Sequence, residues 1–203
     1  MVKRLEIHQM GDALANLVRV VAPEGRNFEV VIANNAFISG AQGGCQAETG
    51  SAAAMEVIAA FIQLYRENSR YLPGFRLSDS LAFSHDLGVA VASADIIFVS
   101  IPSKAFRSVM QAAKPFLRPE QMLVSTTKGI EKESFALMSE ILREESGLKK
   151  IGVLSGPNLA KEIAARMVSG TVIASTQPDV RERVHQVLSS RYFRVFANSD
   201  VYG

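Results

Sequence analysis

Several short segments carry side chains able to hold an anion or orient a carbonyl, and most of them follow a β-branched run. Ser103 and Lys104 come after Asp95–Val99 and open a helical pattern, where unpaired backbone N–H groups favour an anion or simply need a cap. Thr126-Thr127-Lys128-Gly129 comes after Met122–Ser125. A lysine beside a glycine at a strand end is placed to bind a phosphate or polarise a carbonyl; a solvated lysine fits the position equally well. Ser155-Gly156-Pro157-Asn158 follows Ile151–Leu154. Gly156 admits close approach of backbone to a ligand, and Asn158 either caps the next helix or bonds a ligand oxygen. Leu5–Leu14 could form a strand–turn–helix, but Gly11 is its one glycine and an ordinary helix start is the plainer reading. His8, His85 and His185 are scattered, so neither a His/Asp/Ser triad nor a metal site is expected, and His185 belongs on a helix surface.

The elements that must position these groups alternate in type. Glu29–Ala33, Asp95–Val99, Met122–Ser125, Ile151–Leu154, Thr171–Ala174 and Phe193–Phe196 read as strands. Helical patterns run over Ser51–Glu67, Ser103–Ala113, Ser134–Glu145, Asn158–Ala165 and Asp179–Leu188. Pro102 suits a helix start, Asp179 suits the helix dipole, and Arg143, Glu144 and Glu145 read as a solvated helix end. Met55, Met110 and Met138 fit helix core faces. Short apolar strands separated by helices predict an α/β fold, doubly wound on a mainly parallel Rossmann-like sheet covered on both faces. Ligands of such sheets bind outside the carboxyl ends of the strands, where these segments fall. The stretch between Ile38 and Ala52 is glycine-rich and loop-like.

Composition bounds the rest. The 203 residues are 48% hydrophobic and 21% charged, which excludes a disordered chain, a collagen and a coiled-coil rod. A net charge of +2 gives no case for nucleic acid. Cys45 is alone, so no internal disulfide or cysteine-rich zinc site is expected. The N-terminus has no continuous apolar run of the signal-peptide kind, and the longest apolar stretch, Ala52–Tyr65, is too short and too polar to span a bilayer, so a cytoplasmic protein without membrane insertion is expected.

Five segments, taken in order, resemble bacterial NAD(P)-dependent sn-glycerol-3-phosphate dehydrogenase. They are Asn68–Gly74, Ile101–Phe106, Ser125–Glu131, Leu154–Ala164 and Phe193–Asp200, and the likeness covers about two thirds of the chain. Residues 10–16 also resemble the start of that family's first helix. The family reduces dihydroxyacetone phosphate to sn-glycerol 3-phosphate with NADH or NADPH, in glycerophospholipid synthesis. The resemblance implies that Lys128 contacts both substrate and cofactor. It implies that Gly156 and Asn158 contact the substrate, and that Gln9, Met10, Gly11, Asn35, Tyr71 and Ala160 contact NAD or NADP.

Three departures from the family's pattern set further expectations. Glu6 and His8 stand where the first two glycines of the dinucleotide turn belong, so weakened cofactor binding is expected. Residues 36–52 form an atypical insertion within a single dinucleotide-binding domain over 1–203. The resemblance also implies that the family's helical domain, with its catalytic lysine and phosphate-binding residues, would follow Gly203. No catalytic residue is therefore expected in this chain, and little turnover from it. A non-catalytic nucleotide-binding or interaction remnant of the family is the alternative, and a homodimer is the open case for assembly.

Overall fold

Every residue of Ile96–Val99 is buried, and alternate side chains enter two separate apolar clusters. A four-residue apolar run can do this only as a central strand with a packed layer on each face. The computed structural model describes residues 17–20, 30–33, 64–68, 72–78, 81–84 and 86–202. Within them the strands are β1 (Leu17–Val20), β2 (Val30–Ala33), β3 (Glu67–Asn68), β4 (Leu72–Arg76), β5 (Leu81–Ser84), β6 (Ile96–Val99), β7 (Met122–Ser125), β8 (Ile151–Ser155), β9 (Ser169–Ala174) and β10 (Phe193–Asn198). The helices are α1 (Leu87–Ser93), α2 (Ser103–Ala113), α3 (Met138–Ser146), α4 (Ala160–Ala164) and α5 (Pro178–Leu188).

Eight strands form one sheet in the order β10-β9-β8-β7-β6-β2-β1-β5. The run β2-β6-β7-β8 is parallel, as is β9 with β10. Its register sets Ala33 beside Val99 and Val99 beside Ser125, with Ser125 beside Val153. Three strands thus end in a row along one edge, and β8 runs two residues beyond it to Ser155. On one face α1, α2 and α3 bury Ala90, Phe106, Val109, Ile141 and Leu142 against Ile97, Val99 and Leu123. On the other, α5 and Ile163 of α4 pack Val180, Val184 and Leu188 against Phe98, Val124, Leu154 and Ile173. The doubly wound, mainly parallel sheet is therefore present, and the two faces are sealed by different helices.

Most expected elements recur within a residue or two, and Ser103–Ala113 recurs at the same bounds. The differences have local causes. The pattern over Ser134–Glu145 becomes helix only from Met138, because Phe135 sits at φ 57°, outside the right-handed helix. Glu140 then accepts from the Leu137 N–H at 2.8 Å and caps the first turn. Phe135, inside that expected helix, is exposed. The expected helix over Ser51–Glu67 stops earlier: Leu64 and Tyr65 are helical, Arg66 turns to φ 54°, and Glu67 enters β3. Residues 51–63 of that pattern, the strand–turn–helix at 5–14 and the glycine-rich stretch at 38–52 lie outside the described residues.

Strand β9 runs antiparallel to β8. A parallel return needs a crossover long enough to retrace the strand, and α4 has five residues, rising about 7.5 Å against about 17 Å for β8. The sheet is also not covered on both faces throughout. Val172 and Phe196, paired across β9 and β10, are exposed on the face that α2 and α3 cover elsewhere. The outer edge of β10 is protected differently. The Ser189 and Ser190 hydroxyls accept from Val195 N and Phe193 N, and Ser190 N donates to Phe193 O at 2.7 Å. Occupied edge groups cannot pair with another strand.

Gln121, fully buried, ties the end of α1 to the turn before β7. Its Nε2 donates to Val91 O and Ala94 O at 2.7 and 2.6 Å, and its Oε1 accepts from Arg118 N at 2.7 Å. Gln121→Leu leaves the Arg118 N–H unpaired and takes one of two donors each from Val91 O, which keeps Ala94 N, and Ala94 O, which keeps Arg118 Nη2. It is expected to cost about 2–3 kcal/mol, read as a fall in the urea midpoint at unchanged slope.

Candidate functional site

The carboxyl ends of β6, β7 and β8 carry three loops that interlock before they reach solvent. Thr126 N donates to Val99 O at 3.1 Å, and the Ser100 and Thr126 hydroxyls are hydrogen-bonded to each other. The Thr127 hydroxyl accepts from Ile101 N at 3.1 Å and donates to Ile101 O at 2.7 Å. Serine and threonine at these strand ends satisfy the backbone groups that the ladder no longer pairs. The chain then turns at Gly129, where φ is +109° and an L side chain would be strained. Lys128 is thereby held at the rim, exposed, and its Nζ donates to Gly156 O at 3.0 Å, across the next loop.

The third loop is fixed from below by β9. Thr171 donates to Ser155 O at 2.9 Å and accepts from Asn158 Nδ2 at 3.0 Å. Gly156 O receives Asn158 N at 2.9 Å in addition to the lysine. A Cβ on Gly156 would lie 2.9 Å from Gly170 O and 3.0 Å from Thr171 Cα, both backbone atoms that cannot swing aside. The glycine is thus needed for strand approach as well as for access. Asn158 Oδ1 is buried and has no donor among the described residues. Burying an acceptor without a partner costs free energy that a ligand hydroxyl or amide would recover.

Lys128, Gly156 and Asn158, expected from sequence to bind substrate, are brought together here. Ala160 opens α4 two residues beyond Asn158, and β4 packs on α4. Tyr71, which precedes the buried Leu72 of β4, lies outside the described residues, as do Gln9, Met10, Gly11 and Asn35. Asn35 follows β2, whose end at Ala33 stands in the same row as Val99. Ser103 stands near the Gly129 turn rather than capping its own helix; its Oγ is 3.6 Å from where a Gly129 Cβ would be. His185 is exposed on α5, while His8 and His85 lie outside the described residues.

One ionic centre had no sequence signal. Arg107, from α2, sends Nε and Nη2 to the two oxygens of Glu131 at 2.8 Å each. Its Nη1 reaches Glu144 at 2.9 Å and also bonds Glu145. Glu145, expected at a solvated helix end, is one of the less exposed members of this group at 14%. The partners lie 24 to 38 residues from Arg107, beyond the reach of any helical spacing rule. Hydrogen bonds from Arg107, then from Ser134, hold the Glu131 carboxyl down at about 2, and the three carboxylates push the Arg107 guanidinium up.

Among the described residues, no three His, Cys, Asp or Glu side chains are grouped to hold a metal ion, and no helix is long and apolar enough to cross a membrane.

The family model for the N-terminus of NAD-dependent glycerol-3-phosphate dehydrogenase matches residues 25–181. A glycerol-3-phosphate dehydrogenase (NAD(P)+) of Teredinibacter turnerae is 49% identical over 141 residues, 70% of this chain and 42% of that protein. The Acinetobacter baylyi protein of the same name is 53% identical over 136 residues, 67% of this chain and 38% of its own length. This chain thus spans about two fifths of the curated relatives it matches. Among solved structures, glycerol-3-phosphate dehydrogenase of Coxiella burnetii matches with a TM-score of 0.67 at 30% identity, covering 70% of this chain and 44% of that one. The Saccharomyces cerevisiae enzyme matches with a TM-score of 0.64 at 28% identity, covering 70% and 43%.

Two outcomes follow from this geometry. Gly156→Ala should destabilise the fold by about 1–3 kcal/mol, read by urea or thermal unfolding, because strand backbone must move. The Glu131 carboxyl has a folded value below its ordinary 4.5, so its contribution is complete above that value and lost as pH falls toward 2. The urea midpoint should therefore drop between pH 5 and pH 2, and drop less in Arg107→Gln.

Proposed function

From its membership of the NAD-dependent glycerol-3-phosphate dehydrogenase N-terminal family, we propose that this chain is the dinucleotide-binding part of a glycerol-3-phosphate dehydrogenase. The reaction is the reduction of dihydroxyacetone phosphate to sn-glycerol 3-phosphate, and the setting is glycerophospholipid synthesis in the cytoplasm. The observation that carries the reading is the convergence of Lys128 Nζ, Gly156 and the unpartnered Asn158 Oδ1 at the carboxyl edge of the sheet. That combination offers a cation for a phosphate or a polarised carbonyl, and an acceptor for a hydroxyl, at the place where such sheets bind ligands.

In this reading Lys128 contacts substrate and cofactor together, and Gly156 and Asn158 contact the substrate. Ala160 contacts the dinucleotide, with Gln9, Met10, Gly11, Asn35 and Tyr71. The nicotinamide, when bound, supplies the hydride chemistry. The chain's own task is to hold the substrate carbonyl in place and neutralise charge. Lys128 is free to do this because its ammonium rests on a carbonyl oxygen, which a ligand oxygen can replace without breaking an ion pair. Thr127 ties the loop of Lys128 to the end of β6, and Thr171 ties the loop of Gly156 and Asn158 to β9. Either NAD or NADP serves as cofactor, and a homodimer is the assembly.

A fluorescence titration of the 203-residue chain with NADH and NADPH tests the reading. Saturable binding in the micromolar range is expected, weakened about tenfold in Lys128→Met by loss of a charge-assisted contact. No binding up to millimolar cofactor would favour the remnant reading, with Glu6 and His8 as the residues to revert to glycine.

A further inference from the structure

We propose that Glu131 and Arg107 form a clamp that aims Lys128, which makes both of them positioning residues for the site. This rests on the reading of Lys128 as a ligand-binding residue.

The loop that carries Lys128 is anchored firmly on its N-terminal side. Thr126 and Thr127 are bonded to Ser100, Val99 and Ile101, all at the end of β6. On the other side the next two residues offer little hold. Gly129 has no side chain to pack, adopts a left-handed conformation, and as a glycine has the most backbone freedom to lose on being ordered. Ile130 is half exposed and meets the chain again through a single isolated bridge to Leu137. The next firm attachment is Glu131, three residues beyond the lysine.

That attachment is a two-pronged one. Both oxygens of Glu131 are taken by Arg107, a geometry that fixes orientation as well as distance. Arg107 is itself immobilised. Its helix buries Ala105, Phe106, Val109 and Met110, and its remaining nitrogen is held by Glu144 and Glu145 from α3. Glu131 N also donates to Ala136 O, and the Ser134 hydroxyl to Glu131 Oε2, so the carboxylate's own turn is ordered around it. With Thr127 and Glu131 both fixed, the path of the intervening residues is held at both ends. It delivers Nζ to Gly156 O, on the opposite rim. A lysine in place of Arg107 would keep the charge but lose the fork.

A role confined to gluing α2 to α3 would act on stability alone and not through Lys128. A double-mutant cycle separates the two. NADH affinity is measured by fluorescence titration in the unsubstituted chain, Glu131→Gln, Lys128→Met and the double variant, with thermal unfolding to verify that each is folded. Amide hydrogen exchange at Lys128, Gly129 and Ile130 is measured alongside. Glu131→Gln is expected to weaken NADH binding about fivefold and to speed exchange at those three amides while β6 and β7 stay protected. In the Lys128→Met background the same change should alter affinity less than about twofold. Arg107→Lys should fall between Glu131→Gln and the unsubstituted chain.

Equal weakening in both backgrounds, or unchanged exchange in Glu131→Gln, overturns the clamp. A Lys128→Met chain that binds NADH as tightly as the unsubstituted one overturns instead the reading of Lys128 as a ligand contact. The clamp then has no site to serve, whatever the exchange data show of the loop.

Discussion

The parallel ladder from β2 through β6 and β7 to β8 is the constraint on which the remaining structure depends. Its strands are short, and β6 is buried on both faces, so a slip of one residue would move Ile96 and Phe98 into the layer that holds Ile97 and Val99. The two layers differ in the helices they receive, and neither could accept the other's set at interior packing density. Register is thereby locked, and with it the row of Ala33, Val99 and Ser125 at three strand ends beside Val153 of β8. Every group of the candidate site hangs from that row.

A rigid base and an exposed tip are joined there by polar contacts rather than by packing. Threonine and serine hydroxyls at the ends of β6 and β7 bond backbone groups that the ladder leaves unpaired, so the loops begin from ordered positions. The reversal of β9 matters for the same reason. Running antiparallel, it brings Gly170 and Thr171 against Gly156, and the Thr171 hydroxyl can then hold Ser155 and Asn158 together. A parallel β9 would have needed a longer helix in place of α4 and would have set a different residue under the turn.

The Arg107 centre adds a second kind of order. It joins α2, the loop after β7 and the end of α3, three pieces that share no strand pairing. Exposed ion pairs contribute little one at a time, but here a half-buried guanidinium serves three carboxylates with fixed geometry. Its bidentate geometry fixes orientation in addition to the stability it adds to the apolar layer beneath.

Much of this was legible in the chain itself. The strands at Asp95–Val99, Met122–Ser125 and Ile151–Leu154 announce themselves as β-branched runs, and Ser103–Ala113 as an apolar stripe after Pro102. The lysine, glycine and asparagine of the site stand directly after those strands, so their shared edge follows from the fold class. Local patterns carry that information because helix and strand periodicity is a property of neighbours in sequence. Other features needed the third dimension. The left-handed Phe135 shortens α3, the brevity of α4 reverses β9, and the uncovered Val172 and Phe196 break the expectation of two covered faces. The partners of Arg107, and the backbone that forbids a side chain at Gly156, were hidden for one physical reason. Both depend on which distant segments the packed sheet brings within 3 Å, and no periodicity in the chain encodes that distance.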